Sequence, residues 1–355
     1  MYMEFAKSFN IGKRKVGEGQ PAYFIAEIGA NFDGSLETAK KYALEAKKIG
    51  ADCAKIQTFS AKKIVSREGF ASMKLKGVHG SWNRPVDEVF HEVEFPHKWH
   101  KEFFDYCWKI GITPSTAPYD KEAVDLVDKL GIEFYKIGSG EITWLEEIDY
   151  IARKGKPVVL ATGAATLSEV EEAVRTVEAT GNKNLALLQC ITNYPSKISS
   201  ANINVLKTYK NAFDCIVGYS DHTPGDVVTL GAVALGAKVI EKHVTFDRNN
   251  KGPDHPHSLT FEEFEAMIRR TRELESAMGS SIKRVVEEES ETYIVQRRGL
   301  YTKRSIKKSE VIKKSDIVEL RPQLGIFPKY KNVVARKRAA RALKANFPIH
   351  WDDLA

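Results

Sequence analysis

Cys215-Ile216-Val217-Gly218-Tyr219-Ser220-Asp221-His222-Thr223 and Leu235-Gly236-Ala237-Lys238-Val239-Ile240-Glu241-Lys242-His243 decide the fold, with a helical pattern from Val227 to Leu235 between them. Each apolar run has strand length, and each leads to a histidine. Strand, helix and strand in succession make a βαβ unit, whose two strands run parallel. His222 and His243 then stand at the ends of adjacent strands, on one rim. Two imidazoles so placed suit a metal clamp.

The same punctuation recurs along the chain. Short apolar runs fall at Ala22 to Glu27, Cys53 to Gln57, Ile112 to Thr116, Phe134 to Ile137, Val158 to Ala161, Leu185 to Cys190, Cys215 to Gly218 and Val239 to His243. Amphipathic helical segments separate them, among them Leu36 to Ile49 and Leu167 to Ala179, the latter with Ser168 as a start signal. Ile49-Gly50-Ala51-Asp52, Leu130-Gly131-Ile132-Glu133 and Leu235-Gly236-Ala237-Lys238 repeat one device, a glycine that stops a helix just before a strand. Eight such units over roughly 260 residues fit a (β/α)8 TIM barrel. A doubly wound sheet would carry a glycine-rich phosphate loop after its first strand, and Glu27-Ile28-Gly29-Ala30-Asn31-Phe32-Asp33-Gly34 lacks that spacing.

The segment from Ser60 to Glu94 is a long polar insertion containing Gly77, Gly80, Trp82 and Pro85, placed to cover the active face of a barrel. Residues 1–285 read as the barrel domain. Residues 286–292, with Glu287-Glu288-Glu289-Ser290-Glu291, read as a charged linker, and residues 293–355 as a small β-rich domain. The two halves of that domain echo each other: Thr302-Lys303-Arg304-Ser305-Ile306-Lys307-Lys308 and Ala339-Ala340-Arg341-Ala342-Leu343-Lys344-Ala345 each precede a β-like run and an aspartate turn.

Bulk properties exclude several classes. The chain of 355 residues is 43% hydrophobic, enough for a large core. No apolar run reaches about 18 residues, so no membrane span is expected. The N-terminus lacks a signal-peptide core. Cys53, Cys107, Cys190 and Cys215 are scattered without a CxxC pair, as expected of reduced core thiols in a cytoplasmic protein. The net charge of +7 accumulates late, at Arg297-Arg298, Lys307-Lys308, Lys313-Lys314 and Arg336-Lys337-Arg338, without a nucleic-acid motif. A solvated basic face, or a field that draws small anions, fits better than nucleic-acid binding.

In a barrel, chemistry gathers at strand C-termini. That rule selects Glu27; Lys55 and Gln57; Ser115 and Thr116; Lys136, Ser139 and Glu141; Thr162; Thr192, Asn193 and Tyr194; Ser220, Asp221 and His222; then Glu241, Lys242 and His243, followed by Asp254. Lysines and hydroxyls suit a phosphate or carboxylate ligand. Two histidines with oxygen ligands suit a divalent ion such as Mn2+. Glu27 is read either as a base or water-orienting group or as the ion-pair partner of an inward lysine. His91, His97 and His100 read as surface residues of a helical stretch. His255 and His257, flanking Pro256, read as loop residues with a second metal site as the alternative.

Five ordered motifs carry a resemblance. They are Phe24-Ile25-Ala26-Glu27-Ile28-Gly29-Ala30-Asn31, Lys55-Ile56-Gln57-Thr58-Phe59, Tyr135-Lys136-Ile137-Gly138-Ser139-Gly140-Glu141, Gly218-Tyr219-Ser220-Asp221-His222-Thr223 and Gly252-Pro253-Asp254-His255. Together they resemble the sialic acid synthase family. Leu320-Arg321-Pro322, Gly325-Ile326 and Trp351-Asp352-Asp353-Leu354 resemble its C-terminal antifreeze-like (SAF) domain. The resemblance implies a transferase that condenses phosphoenolpyruvate with an open-chain N-acetylated amino sugar, giving a nonulosonic acid and phosphate by C–O cleavage. It implies Mn2+, with Mg2+ or Co2+ as alternatives, on His222 and His243, and a proton or water role for Glu27. Phosphoenolpyruvate would be gripped by Lys55, Thr116, Lys136, Ser139, Thr192, Asn193 and Ser220. The sugar would be held by Gln57, Tyr194, Asp254 and Arg321, the last reaching from the SAF domain into a partner's barrel in a domain-swapped homodimer.

The motifs also depart from the family pattern. Asn31-Phe32-Asp33-Gly34 replaces Asn-His-Asn-Gly, Thr192-Asn193 alters the sixth-strand motif, and Gln323 replaces a glycine. With the insertion around Ser81-Trp82-Asn83-Arg84-Pro85, these point to a different sugar, such as a di-acetamido sugar leading to legionaminic or pseudaminic acid. Two rivals stand beside this reading: a phosphoenolpyruvate-dependent synthase acting on a phosphorylated aldose, and a non-catalytic glycan-binding barrel.

Overall fold

A computed structural model of the chain describes residues 4–73 and 84–355. It divides into two compact units, Met1–Gly279 and Ser280–Ala355. The first opens with a hairpin, β1 (Ser8–Ile11) and β2 (Arg14–Gly17). Eight parallel strands follow: β3 (Tyr23–Glu27), β4 (Cys53–Thr58), β5 (Thr113–Pro118), β6 (Tyr135–Ile137), β7 (Val158–Ala161), β8 (Leu185–Cys190), β9 (Ile216–Asp221) and β10 (Val239–Thr245). They are ordered β5-β4-β3-β10-β9-β8-β7-β6, and the two outermost, β5 and β6, lie against each other, so the sheet curls into the expected barrel. A short β11 (Leu259–Thr260) adds to β10.

Each expected strand is present, within a few residues of its expected ends. The helix Leu167–Ala179 has the expected bounds, but its cap is Thr166 rather than Ser168, with Glu169 completing a capping box. Cys53, Cys107, Cys190 and Cys215 are free and buried. Among the described residues no helix is long and apolar enough to cross a membrane.

The two-residue period of the strands sorts the core into two layers. Residues of one parity face outward, where Phe24, Ala26, Ile56, Leu160, Leu187 and Ile240 pack against the helices. Those of the other parity face the barrel axis. At the lower end they are apolar: Tyr23, Ile25, Cys53, Val159, Ala186, Leu188 and Val239 fill the interior together with Phe9, Ile11 and Val16 of the hairpin. The hairpin, not anticipated from the sequence, is thus the plug of the barrel floor. Further along the same strands the inward positions become Glu27, Lys55, Gln57, Ser220, Glu241 and His243.

Four expected placements are corrected, three by strand parity (Thr116, Asp221 and Lys242) and one by helix packing (His100). Thr116 is level with Ile56 in the β4–β5 register and faces outward, where its hydroxyl meets Thr58 Oγ1 at 2.7 Å. Ser115, level with Lys55, takes the inward place. His100 is not a surface residue: the inner face of the helix His97–Ile110 buries it, 2.6 Å from Thr58 Oγ1, and burial lowers its pKa to about 4. Asp221 and Lys242 also point outward and form a buried ion pair at 2.8 Å.

The second unit pairs β12 (Gly299–Thr302) with β13 (Ile317–Leu320) around a core of Leu300, Ile306, Ile312, Ile317, Ile326, Leu343 and Ile349. Its halves do echo each other. Arg304 grips Asp316 at 2.9 Å, and Arg341 grips Asp353 at 2.7 Å. Asp316 accepts from Lys313 N and Asp353 from His350 N. Ser309 and Asn346 hold matching left-handed turns.

Candidate active site

The upper inward layer opens into a cavity of about 340 Å³. Of the expected site residues it brings together Glu27, Lys55, Gln57, Lys136, Ser139, Thr192, Tyr194, Ser220, His222, His243 and Asp254. Thr116 is excluded by parity. Asn193 is exposed and spends its amide on Pro195 O at 2.8 Å, closing its own turn rather than facing the cavity. Arg321 belongs to the second unit and is exposed there, directly after β13.

Four buried charges form the floor of the cavity. Lys55 Nζ lies 2.6 Å from Glu27 Oε2 and 3.7 Å from Glu241 Oε2. Lys136 Nζ lies 3.6 Å from Glu241 Oε1 and donates to Ile137 O at 3.1 Å. Gln57 Nε2 donates to Glu27 Oε1 at 2.9 Å, and Ser220 Oγ donates to Glu241 Oε1 at 3.0 Å. Burial raises the Glu27 pKa to about 7, against the pull of Lys55 and with a push from Glu241. Burial also opposes charge on Glu241, but Lys136 and Lys55 outweigh it and bring its pKa to about 2. The two carboxylates therefore divide the work: Glu241 is a fixed anion, and Glu27 titrates near neutrality. Both sequence readings of Glu27 meet here, because it pairs with an inward lysine and is poised to exchange a proton.

Glu241 was selected by its strand end without a role. Its signal was parity, since it stands two residues before His243 and must share that residue's face. Ser115, Tyr119 and Glu141 also belong to this region. Ser115 Oγ is buried without a hydrogen-bond partner, and Tyr119 and Glu141 line the cavity. Burial raises the Glu141 pKa, with Lys136 opposing.

The histidines occupy the other side. The rings of His222 and His243 have centroids 5.6 Å apart. His222 Nδ1 lies 3.0 Å from Ile191 O, and a carbonyl can only accept, so Nδ1 carries a hydrogen; burial opposes charge on this ring, but contact with Cys190 and Ile191 O outweighs it and raises its pKa above the ordinary value. His243 Nδ1 is buried without a hydrogen-bond partner, 3.6 Å from Asp254 Oδ2. Burial, reinforced by His222, holds the His243 pKa well below its usual value, which keeps the imidazole neutral and able to ligate. Asp254 Oδ2 in turn accepts from Ala30 N at 2.8 Å. Gly29 makes this approach possible. Its φ is +53°, and a Cβ there would collide with Asp254 Oδ2 and crowd the His243 ring. Lone pairs without partners on a neutral imidazole, beside a carboxylate, fit a divalent cation.

The insertion between β4 and the helix His97–Ile110 supplies the opposite wall. It contains the helices Ala61–Ile64, Arg67–Ala71 and Val86–Glu92. Gly77, Gly80 and the stretch Ser81-Trp82-Asn83 lie outside the described residues. Phe59, Ile64, Val89, Phe90 and Val93 face the cavity. The segment lines the site as expected, with apolar rather than polar side chains.

Comparison with known proteins follows the same division of the chain. A model described as the NeuB family matches residues 43–283, and one for the SAF domain matches residues 297–355. An uncharacterized protein of Methanocaldococcus jannaschii is 36% identical over 348 residues, covering 98% of this chain and 99% of that one. An N,N'-diacetyllegionaminic acid synthase of Campylobacter jejuni is 39% identical over 305 residues, covering 85% and 91%. Among solved structures, an N-acetylneuraminic acid (sialic acid) synthetase of Leptospira borgpetersenii superposes with a TM-score of 0.73 at 28% identity, over 81% of this chain and 96% of that one.

Proposed function

The chain belongs to the NeuB family of sialic acid synthases, and on that premise we propose that it condenses phosphoenolpyruvate with an open-chain N-acetylated amino sugar. The products are a nonulosonic acid and inorganic phosphate. The observation that carries this reading is the array of Lys55, Lys136, Glu27 and Glu241 beside His222 and His243 at one end of the barrel.

In the proposed reaction C3 of phosphoenolpyruvate bonds to the aldehyde carbon, and the aldehyde oxygen takes up a proton. Water adds at C2 and loses a proton, and the C2–O bond to phosphate then breaks, leaving a 2-keto acid. Lys55 and Lys136 attract the phosphate and carboxylate, with Ser139, Thr192, Ser220 and the inward Ser115 as hydroxyl partners. Glu27, with a pKa of about 7, exchanges the proton of the attacking water and is held in place by Gln57 and Lys55. Tyr194 and Asp254, with Gln57, orient the sugar. His222 and His243 hold a divalent cation of the Mn2+ class, which when bound supplies a Lewis acid for the aldehyde. Arg321 completes the sugar site from the SAF domain of a second copy in a domain-swapped dimer.

The far wall supports a substrate class. Among the described residues lining the cavity, only Lys55 and Lys136 are lysine or arginine, and both already lie beside carboxylates. Among the described residues of the barrel unit, no further lysine or arginine lines the cavity to meet a sugar phosphate. The apolar face of Phe59, Ile64, Val89 and Val93 suits acetamido methyl groups. An unphosphorylated, di-N-acetylated sugar fits best, as in the synthesis of legionaminic or pseudaminic acid.

The test is phosphate release from phosphoenolpyruvate labelled with 18O at the bridging oxygen, using mono-acetamido, 6-phosphorylated and di-acetamido sugars. Label is expected in the phosphate, with the di-acetamido sugar the fastest. Turnover of the 6-phosphorylated sugar alone would overturn the substrate class. No turnover with any sugar, with Mn2+ and phosphoenolpyruvate bound, would favour a binding barrel.

A further inference from the structure

We propose that His257 is a third imidazole ligand of the cation held by His222 and His243, with Asp254 closing the donor set. This rests on the metal reading given above and extends it to a residue outside the strands. His257 ends the turn His255–His257, and its ring centroid lies 4.8 Å from that of His243 and 6.4 Å from that of His222. One ligand atom from each of His243, Asp254 and His257 can be chosen so that all lie within 4.8 Å of one another. His243 is only 6% exposed, and its Nδ1 has no hydrogen-bond partner; His257 Nε2 is also buried and without one. Two orphaned imidazole nitrogens beside a carboxylate ask for a shared electrophile.

The loop is built to present this side chain. His255 has both nitrogens engaged, Nδ1 with Thr245 Oγ1 at 2.8 Å and Nε2 with Asp33 Oδ1 at 2.9 Å, so it anchors the turn and is not a free ligand. Ser258 Oγ donates to Asp254 O at 2.6 Å and accepts from Asn31 Nδ2 at 3.0 Å. With its neighbours fixed to β10 and to the loop after β3, His257 is turned to the cavity it lines. A ligand held by such supports meets a cation without reordering the loop. Three imidazoles and a carboxylate also move the preference from Mn2+ toward Co2+ and Zn2+, which favour nitrogen donors.

The full chain, stripped of metal, is titrated with Mn2+ alone and examined by pulsed electron paramagnetic resonance, with His257→Ala, His257→Asn and His222→Ala beside it. The wild type is expected to bind one Mn2+ with three imidazole nitrogens. Each His257 variant is expected to keep one site, lose one nitrogen and bind at least about tenfold more weakly. Two nitrogens in the wild type, or unchanged affinity in either folded His257 variant, overturns the assignment; the wild-type count stands even if a variant fails to fold. A second Mn2+ also overturns it. Failure of the wild type to bind Mn2+, or unchanged binding in His222→Ala, overturns the underlying metal reading instead.

Discussion

Replacing Glu27 by Gln removes a cavity carboxylate placed to titrate near neutrality, and stability against pH reads its environment directly. The folded-state pKa is about 7, against an ordinary value of 4.5. A difference of roughly two to three units corresponds to about 3 kcal/mol. The sign follows from proton counting. Between pH 4.5 and 7 the unfolded chain has released the Glu27 proton while the folded chain retains it. The folded state binds more protons, so the unfolding free energy falls as pH rises through this window. Glu241 behaves oppositely, and its contribution is lost only as pH falls from 4.5 toward 2. The two effects therefore occupy separate windows.

Gln keeps the size and the hydrogen bond to Gln57 but cannot ionise. Its loss of attraction to Lys55 adds an offset, since Lys55 keeps Glu241 at 3.7 Å. The measurement is urea unfolding followed by far-UV circular dichroism at half-unit steps from pH 5 to 8, for both proteins. The difference in unfolding free energy is expected to shift toward the variant by about 3 kcal/mol across that range. A difference that stays flat would show that Glu27 ionises as an ordinary carboxylate, and the division of labour between Glu27 and Glu241 would be lost with it.

Strand parity makes a second test: Ser115→Ala should raise the KM for phosphoenolpyruvate with little change in melting temperature, whereas Thr116→Val should cost about 1 kcal/mol of stability and leave KM alone. The reverse pattern in steady-state kinetics and melts would mean the register is misread. Lys242→Met, which strands Asp221 in the outer layer, should destabilise by about 3–5 kcal/mol while Mn2+ affinity is retained; weakened metal binding in the folded variant would contradict the outward assignment. Gly29→Ala forces a left-handed backbone at a cost of about 1–2 kcal/mol and displaces Asp254, so Mn2+ affinity should fall in calorimetry, and unchanged affinity would remove Asp254 from the site.

How far the sequence could carry this picture depended on what each signal encodes. The eight strands were legible because buried parallel strands are short apolar runs bounded by glycine, as at Val158–Ala161 and Leu185–Cys190. The placing of His222 and His243 followed from strand ends alone. Which neighbours face inward did not, because a continuous apolar strand hides its own parity. Thr116 and Ser115 look equivalent until the register with Lys55 and Ile56 is known. The hairpin Ser8–Ile11 and Arg14–Gly17 was missed for a related reason: its strands are four residues each, and only the barrel floor gives Phe9 and Val16 a place to bury. His100 misled because a polar ring on an aromatic-rich helix reads as exposed unless a partner such as Thr58 is known. His257 stood out only as part of an alternative second metal site, because its neighbours His243 and Asp254 are on β10 and in the loop leading from it, which local sequence does not bring together.

The layered barrel also explains why four charges can be buried side by side at this point of the chain. The same strands that carry Ile25, Cys53 and Val239 at the floor carry Glu27, Lys55 and Glu241 one repeat further on, so the ionic layer rests on a dry, close-packed plug. Such a layer adds little net stability, because desolvation of each ion offsets most of the attraction. Its use must lie in what it does to a ligand. With Glu241 fixed as an anion and Glu27 half protonated near neutrality, that pair offers Lys55 and Lys136 fewer than two full negative charges, and burial also opposes charge on Glu141 beside Lys136. The imbalance is small when the cavity holds water and decisive when an anion enters. Lys55 and Lys136 gain a partner, and Glu27, repelled by the same anion, holds its proton more tightly. An anionic substrate and a protonated Glu27 therefore favour each other. In the proposed reaction, a Glu27 protonated on substrate entry can give that proton to the aldehyde oxygen and, once ionised, take one from the attacking water.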